Sequence, residues 1–167
     1  MQTVDRITKL IVWLCRLGLG LSFAILIGTV LIQVIGRTVG SSPVWTEELT
    51  RFALLYLAAF GAGLALRSGD LVNVDVVCEA LPGRAPWRLR LFSAGVTAAL
   101  ALYLLPSGWK YVSIGRMQTS PALGLRMSWV HFSVFLLLAL LVVYATLRIV
   151  GMLARVDDGL PQKPEEG

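Results

Sequence analysis

The chain is 167 residues long, 56% of them hydrophobic and only 15% charged, with a mean hydropathy of +0.75. Soluble domains run at roughly half apolar and a quarter charged residues, so these values exclude a water-soluble globule and leave an integral membrane protein. The net charge of +5 comes from basic residues scattered between apolar runs, with no stripe or cluster that would suit nucleic acid, and the length fits one bundle.

In chain order, the first apolar run is Leu17 to Gly36, 20 residues between Arg16 and Arg37. A helix rising about 1.5 Å per residue needs ~20 residues to cross a hydrocarbon layer of ~30 Å, so a span is predicted over 14–37. The run exceeds the apolar core of a secretory signal peptide and no clear small-residue cleavage site follows, so it is expected to be retained. Gly18, Gly20 and Gly28 offer a shallow face for helix packing.

The second run, Phe52 to Leu66, has 15 residues, about 22 Å of helix, and must borrow from a flank. Ser41-Ser42-Pro43 supplies the start, because serine caps orphan amides and proline at the first helical position loses no hydrogen bond. The span is therefore expected over 44–66, with the stretch WTEELTR at 45–51 in its first turns. Two readings of that stretch stay open. In one, Glu47 and Glu48 meet the positive end of the helix dipole, Glu47 pairs with Arg51 four residues on, and Trp45 anchors at headgroup level. In the other, the arc covered by positions 47, 48 and 51 leaves a carboxylate without a partner in its own helix, which predicts a contact with a second polypeptide. Farther along, Gly61-Ala62-Gly63 allows close backbone approach, with Gly61 and Ala65 on one shallow face.

The connection from Ser68 to Arg90 mixes branched apolar residues with Asn73, Asp75 and Glu79. Leu71, Val74 and Cys78 share a helical face, as do Val72 and Val76, so a short interfacial helix is expected there, ended by Pro82-Gly83. The third run is Leu91 to Trp109, 19 residues, for a span over 89–109 with Trp87, Arg88 and Arg90 at one boundary and Trp109 and Tyr111 at the other. Pro106 is expected to kink it. The fourth run, Met127 to Leu147, has 21 residues, for a span over 127–149; rich in leucine and lacking a small-residue face, it is expected to meet lipid. His131 near its start reads as an interfacial histidine, with a proton-handling or partner-contact role as the alternative. The four-helix domain covers 1–156, and the polar tail 157–167, with two prolines, is expected to be disordered.

Lys and Arg number ten on the side that holds both termini and five on the other, which places the N- and C-termini in the cytoplasm. Cys15 and Cys78 then face the reducing side, where no disulfide is expected. A single histidine cannot supply both axial ligands of a haem, and no metal-ligand spacing, phosphate loop or nucleophile motif stands in the sequence, so no cofactor and no enzyme activity is expected. A membrane anchor for a redox enzyme is the alternative, and would need the cofactor on its partner. A self-contained small transporter or channel would place polar residues mid-span, where Gln33 is nearly alone in the first.

The motifs W-T-E-E-L-T-R at 45–51, Gly61-Ala62-Gly63 followed by Arg67, V-N-V-D at 72–75 with Leu81-Pro82, and S-P-A-L-G-L at 120–125 resemble, in that order, the small membrane subunit of a TRAP transporter, the DctQ-like family. The chain departs from that pattern at Leu71, where a histidine is frequent, and at Arg126, where a proline is frequent. The resemblance implies a scaffold in the bacterial inner membrane. Its implied partners are a large membrane subunit that carries substrate and ion sites, a periplasmic substrate-binding protein and the lipid bilayer, with no nucleic acid. The implied process is ion-coupled uptake of an organic acid such as a dicarboxylate or sugar acid. Trp45, Glu47, Glu48, Arg51, Gly61 and Arg67 then become candidates for subunit contact or for fixing the start of the second helix.

Overall fold

The computed structural model describes residues 2–41, 43–68 and 85–154. Four α-helices account for most of them: α1 (Gln2–Thr38), α2 (Trp45–Ser68), α3 (Ala85–Ile114), which runs on into a 3-10 turn at Gly115–Met117, and α4 (Met127–Leu153). The described residues hold no strand beyond an isolated antiparallel bridge between Thr119 and Arg126. Each of the four helices is long and apolar enough to cross a membrane, where a helix satisfies its own backbone polar groups and open structures do not. The interfacial helix expected at 71–79, the tail at 157–167 and the capping role of Ser42 lie outside the described residues.

α1 packs on α2, α2 on α4, and α4 on α3, so the order across the molecule is α1, α2, α4, α3. α1 ends where Gly40 takes φ +76°. Ser41 N–H donates to Gly36 O at 2.8 Å and Gly40 N–H to Arg37 O at 3.3 Å, the paired bonds of a Schellman stop, in which glycine avoids the left-handed penalty of a Cβ.

The seam between α1 and α2 is lined by small and hydroxylated residues. Val12, Cys15, Ser22 and Thr29 are buried on α1, with Cys15, Ser22 and Thr29 spaced by sevens, so they fall on one stripe. Ser22 and Thr29 donate to carbonyls of their own helix, Gly18 O and Ile25 O, both at 2.8 Å, which lets a hydroxyl sit in an apolar seam. Thr50 on α2 crosses the seam to Thr29 Oγ1 at 3.1 Å. Gly18 lies under the Phe60 ring, whose nearest atom would stand 2.5 Å from a Cβ there, and Gly61 meets Leu19. Gly20 and Gly28 face open space, so of the three glycines expected to form a packing face on the first span only Gly18 does.

α4 packs more closely than expected. It keeps an outward face with Trp129, Val134, Val150 and Leu153 exposed, but it also lies between α2 and α3 and buries Val130, His131, Ser133, Leu140, Tyr144, Ala145 and Met152. The small residues that admit it belong to its neighbours. A Cβ on Gly63 of α2 would stand 3.1 Å from Leu140 Cβ, and one on Gly108 of α3 would stand 3.0 Å from Leu138 Cδ1. A leucine-rich helix needs no glycine of its own when the facing helices supply the gaps. Tyr144 reaches beyond α2 to α1, donating its hydroxyl to Cys15 Sγ at 3.5 Å. α3 continues through Pro106 as one helix.

Candidate functional site at the start of the second helix

Pro43 and Val44 lead into α2 through two tight turns, with Thr46 N–H donating to Pro43 O and Glu47 N–H to Val44 O. Thr46 is fully buried, its hydroxyl donating to Pro43 O at 2.6 Å, and Thr50 donates to Thr46 O at 2.8 Å. The first turn is thereby held from inside, and Glu48, two residues after Thr46, is aimed at the connection between α3 and α4.

That connection is the S-P-A-L-G-L segment. The Thr119–Arg126 bridge closes its neck, with Ser120 N–H donating to Leu125 O at 2.8 Å and Met127 N–H to Gln118 O at 2.9 Å. Proline fixes one φ at position 121, and Gly124 takes φ +65°, a conformation that most residues with a Cβ avoid, while donating its N–H to Ser120 O at 3.0 Å. The loop so folded turns the N–H groups of Ala122 and Leu123 the same way, towards the carboxylate of Glu48, at 3.2 and 3.1 Å. The Ser120 hydroxyl donates to the same carboxylate and accepts from Leu123 N–H. Successive backbone amides arranged in this way form an anion-binding concavity, and here the anion is a side chain of the same chain. A shallow depression of about 350 Å³ beside it is lined by Val44, Trp45, Glu48, Pro121 and Ala122.

The expected site residues separate into groups. Glu48 makes its hydrogen bonds to a loop more than seventy residues away in the same chain, with Arg51 of its own helix a lesser electrostatic neighbour. Trp45 stands at the rim of the depression, 37% exposed. Glu47 and Arg51 are both exposed, and the i,i+4 ion pair expected between them does not form; an exposed pair on two flexible side chains gains too little to hold one geometry. Gly61 serves the α1 seam, and Arg67 closes α2 at its other end, so neither joins Glu48. Sequence reading missed Ser120 and the amides of Ala122 and Leu123. Their signal was a Ser-Pro turn followed by glycine, whose amides need an acceptor.

Nearby, His131 closes the corner between α3 and α4. Its ring stacks on Tyr111 with centroids 3.8 Å apart, and Nδ1 lies 3.0 Å from Tyr111 O; a carbonyl only accepts, so Nδ1 carries the proton. Gly115 makes this possible, because a Cβ there would stand 2.6 Å from His131 Nδ1 and 2.7 Å from Ser128 N. Buried and occupied in this way, the histidine is a packing residue of the corner. No cluster of three or more His, Cys, Asp or Glu that could hold a metal ion occurs among the described residues.

The chain was compared with known proteins. No curated protein matches it. A family model described as the DctQ component of tripartite ATP-independent periplasmic transporters matches residues 26–155, a stretch that contains α2, α3, α4, Glu48 and the loop that holds it. The chain therefore belongs to the DctQ family, the small membrane component of these transporters, which is a bacterial inner-membrane transport component and not an enzyme.

Proposed function

We propose that the chain is a scaffold which binds the large membrane subunit of its transporter and holds that subunit's stationary part in the bilayer during ion-coupled uptake of an organic acid, such as a dicarboxylate or a sugar acid, delivered by a periplasmic binding protein. The observation that carries this reading is the use of Glu48. The most distinctive carboxylate of the sequence is spent on bracing α2 against the α3–α4 loop, which stiffens a frame and takes that carboxylate away from substrate binding. Both termini are cytoplasmic and the Glu48 end faces the periplasm, in keeping with the Lys and Arg distribution. Trp45, Glu47 and Arg51, exposed beside the braced corner, are the side chains that meet the large subunit, whereas Glu48 fixes the helix start and Gly61 and Arg67 belong to the body of the frame.

The test is a charge-reversal pair. Glu47→Lys with Arg51→Glu is expected to leave the chain folded and membrane-inserted while cutting both co-purification of the large subunit and organic-acid uptake by at least about tenfold, the size of effect that follows from like charges placed across an interface. Wild-type co-purification and uptake in that variant would show that the large subunit docks elsewhere.

A further inference from the structure

We propose that Lys9, Trp13 and Arg16, on the face of α1 that no described helix covers, form a binding site for the headgroup of an anionic phospholipid. Three observations converge on this face. The first is azimuth. At about 100° per residue, positions 6, 9, 13 and 16 fall within an arc of about 80°, and Arg6, Lys9, Trp13 and Arg16 are all exposed, whereas the stripe that meets α2 holds Val12, Cys15, Ser22 and Thr29. The helix carries one acidic residue, Asp5, so the segment remains positive even with that residue set against the three cations.

The second is depth. α1 and α2 are antiparallel, with Thr29 opposite Thr50, Gly18 under Phe60 and Leu19 beside Gly61. The same register sets Trp13 opposite Leu66 and Arg67, in the last turns of α2, where the apolar layer ends. α1 has 37 residues, about 55 Å of helix against a layer of ~30 Å, and so runs well beyond that boundary. The indole of Trp13 therefore sits where indoles prefer to sit. Lys9 lies about 6 Å outward along the axis, and Arg16, about 4.5 Å inward, has a side chain long enough to reach back to the headgroups. A phosphate at headgroup depth is bracketed by the two cations.

The third is what lies below. Continuing the same face inward, Gly20 has open space where a Cβ would be, Ala24 is exposed, and Leu17 and Leu21 stand beside them, 51% and 65% exposed. Together these residues leave an exposed apolar strip, lowest at Gly20, directly under the cations. A free phosphate or an acidic peptide would use the cations alone; a phospholipid uses the cations and the apolar strip together.

The experiment measures quenching of Trp13 by brominated lipid. The full chain, purified with whatever subunit accompanies it, is placed in vesicles of phosphatidylcholine that contain either acyl-brominated phosphatidylglycerol or acyl-brominated phosphatidylcholine at equal mole fraction. The Trp13 contribution is the difference from Trp13→Phe. Brominated phosphatidylglycerol is expected to quench it at least about twice as strongly as brominated phosphatidylcholine, reflecting enrichment of the anionic lipid at clustered cations, and Lys9→Gln with Arg16→Gln is expected to equalise the two. Lys110→Gln with Arg116→Gln, on the far end of the molecule, serves as the matched charge control and is expected to change nothing. Equal quenching in the wild type, a preference that survives the double substitution, or no quenching by either lipid because a protein covers the face would each overturn the proposal.

Discussion

α1 and α4 are both long apolar helices, yet they are held in opposite ways. α4 has a neighbour on each side, and its large side chains fill gaps left by Gly63 and Gly108. At its start, its corner is closed by the His131–Tyr111 stack over Gly115, and the loop before it is tied to α2 by Glu48. Among the described helices α1 packs along its length on α2 alone, with Tyr144 of α4 reaching Cys15, and the stripe it offers is of small and hydroxylated residues whose polar bonds are mostly internal to α1 itself. The same composition thus builds a fixed centre and an attached edge. The difference arises because steric fit and directional bonds to other elements accumulate on α4, while α1 contributes chiefly a narrow seam.

The contrast is most easily broken at the glycines. Gly115→Ala puts a methyl within 2.7 Å of Ser128 N and 2.9 Å of Met127 C, both backbone atoms that cannot move aside without displacing the start of α4. A loss of about 2–3 kcal/mol is expected, the upper range for overpacking a close contact, and would appear as a lower unfolding midpoint in detergent. Gly28→Ala on α1, with nothing within 4 Å, is expected to be neutral or to stabilise slightly, since alanine favours the helix by up to ~1 kcal/mol. Equal losses at the two positions would erase the distinction between centre and edge.

Glu48→Ala ranks next. It removes the acceptor for the Ser120 hydroxyl and for the amides of Ala122 and Leu123, so those two amides are expected to exchange with solvent on the order of tenfold faster, with α1 amides unchanged. Glu48→Gln keeps an oxygen acceptor without the charge and is expected to fall between. Exchange that stays at the wild-type rate in Glu48→Ala would mean that the loop holds itself.

The smallest effect is expected at Thr50→Val, which removes the one hydroxyl shared between Thr46 O on α2 and Thr29 Oγ1 on α1. Hydrogen bonds between membrane helices average about 0.6 kcal/mol, and a loss of that size in a denaturant titration is anticipated. A loss as large as that of Gly115→Ala would make the hydroxyl seam a principal fastening of the fold.

Particular residues show why some of this was legible in the sequence and some was not. The four helices follow from runs such as Leu17–Gly36 and Met127–Leu147, because bilayer thickness imposes a length on any spanning helix. The stop of α1 was also within reach, as glycine in V-G-S at 39–41 occupies the position that a left-handed cap requires. The partner of Glu48 was not, because nothing local links position 48 to a loop at 120–123; only the packing of α2 on α4 brings them together. The place of α4 was misread because small residues were sought on the helix itself, whereas packing depends on the pair, and Gly63 and Gly108 lie on the other members. The Glu47–Arg51 pair failed for an energetic reason, since i,i+4 spacing makes an ion pair available without making it favourable at an exposed site.

The scaffold role is tested most directly by isolating the chain from its native membrane in mild detergent, identifying the retained proteins by mass spectrometry and recording the visible spectrum of the eluate. Recovery of a larger many-span membrane protein, with no haem or flavin absorbance, is the expected result. Recovery of a soluble dehydrogenase with a haem or flavin spectrum, and no large membrane subunit, would contradict it.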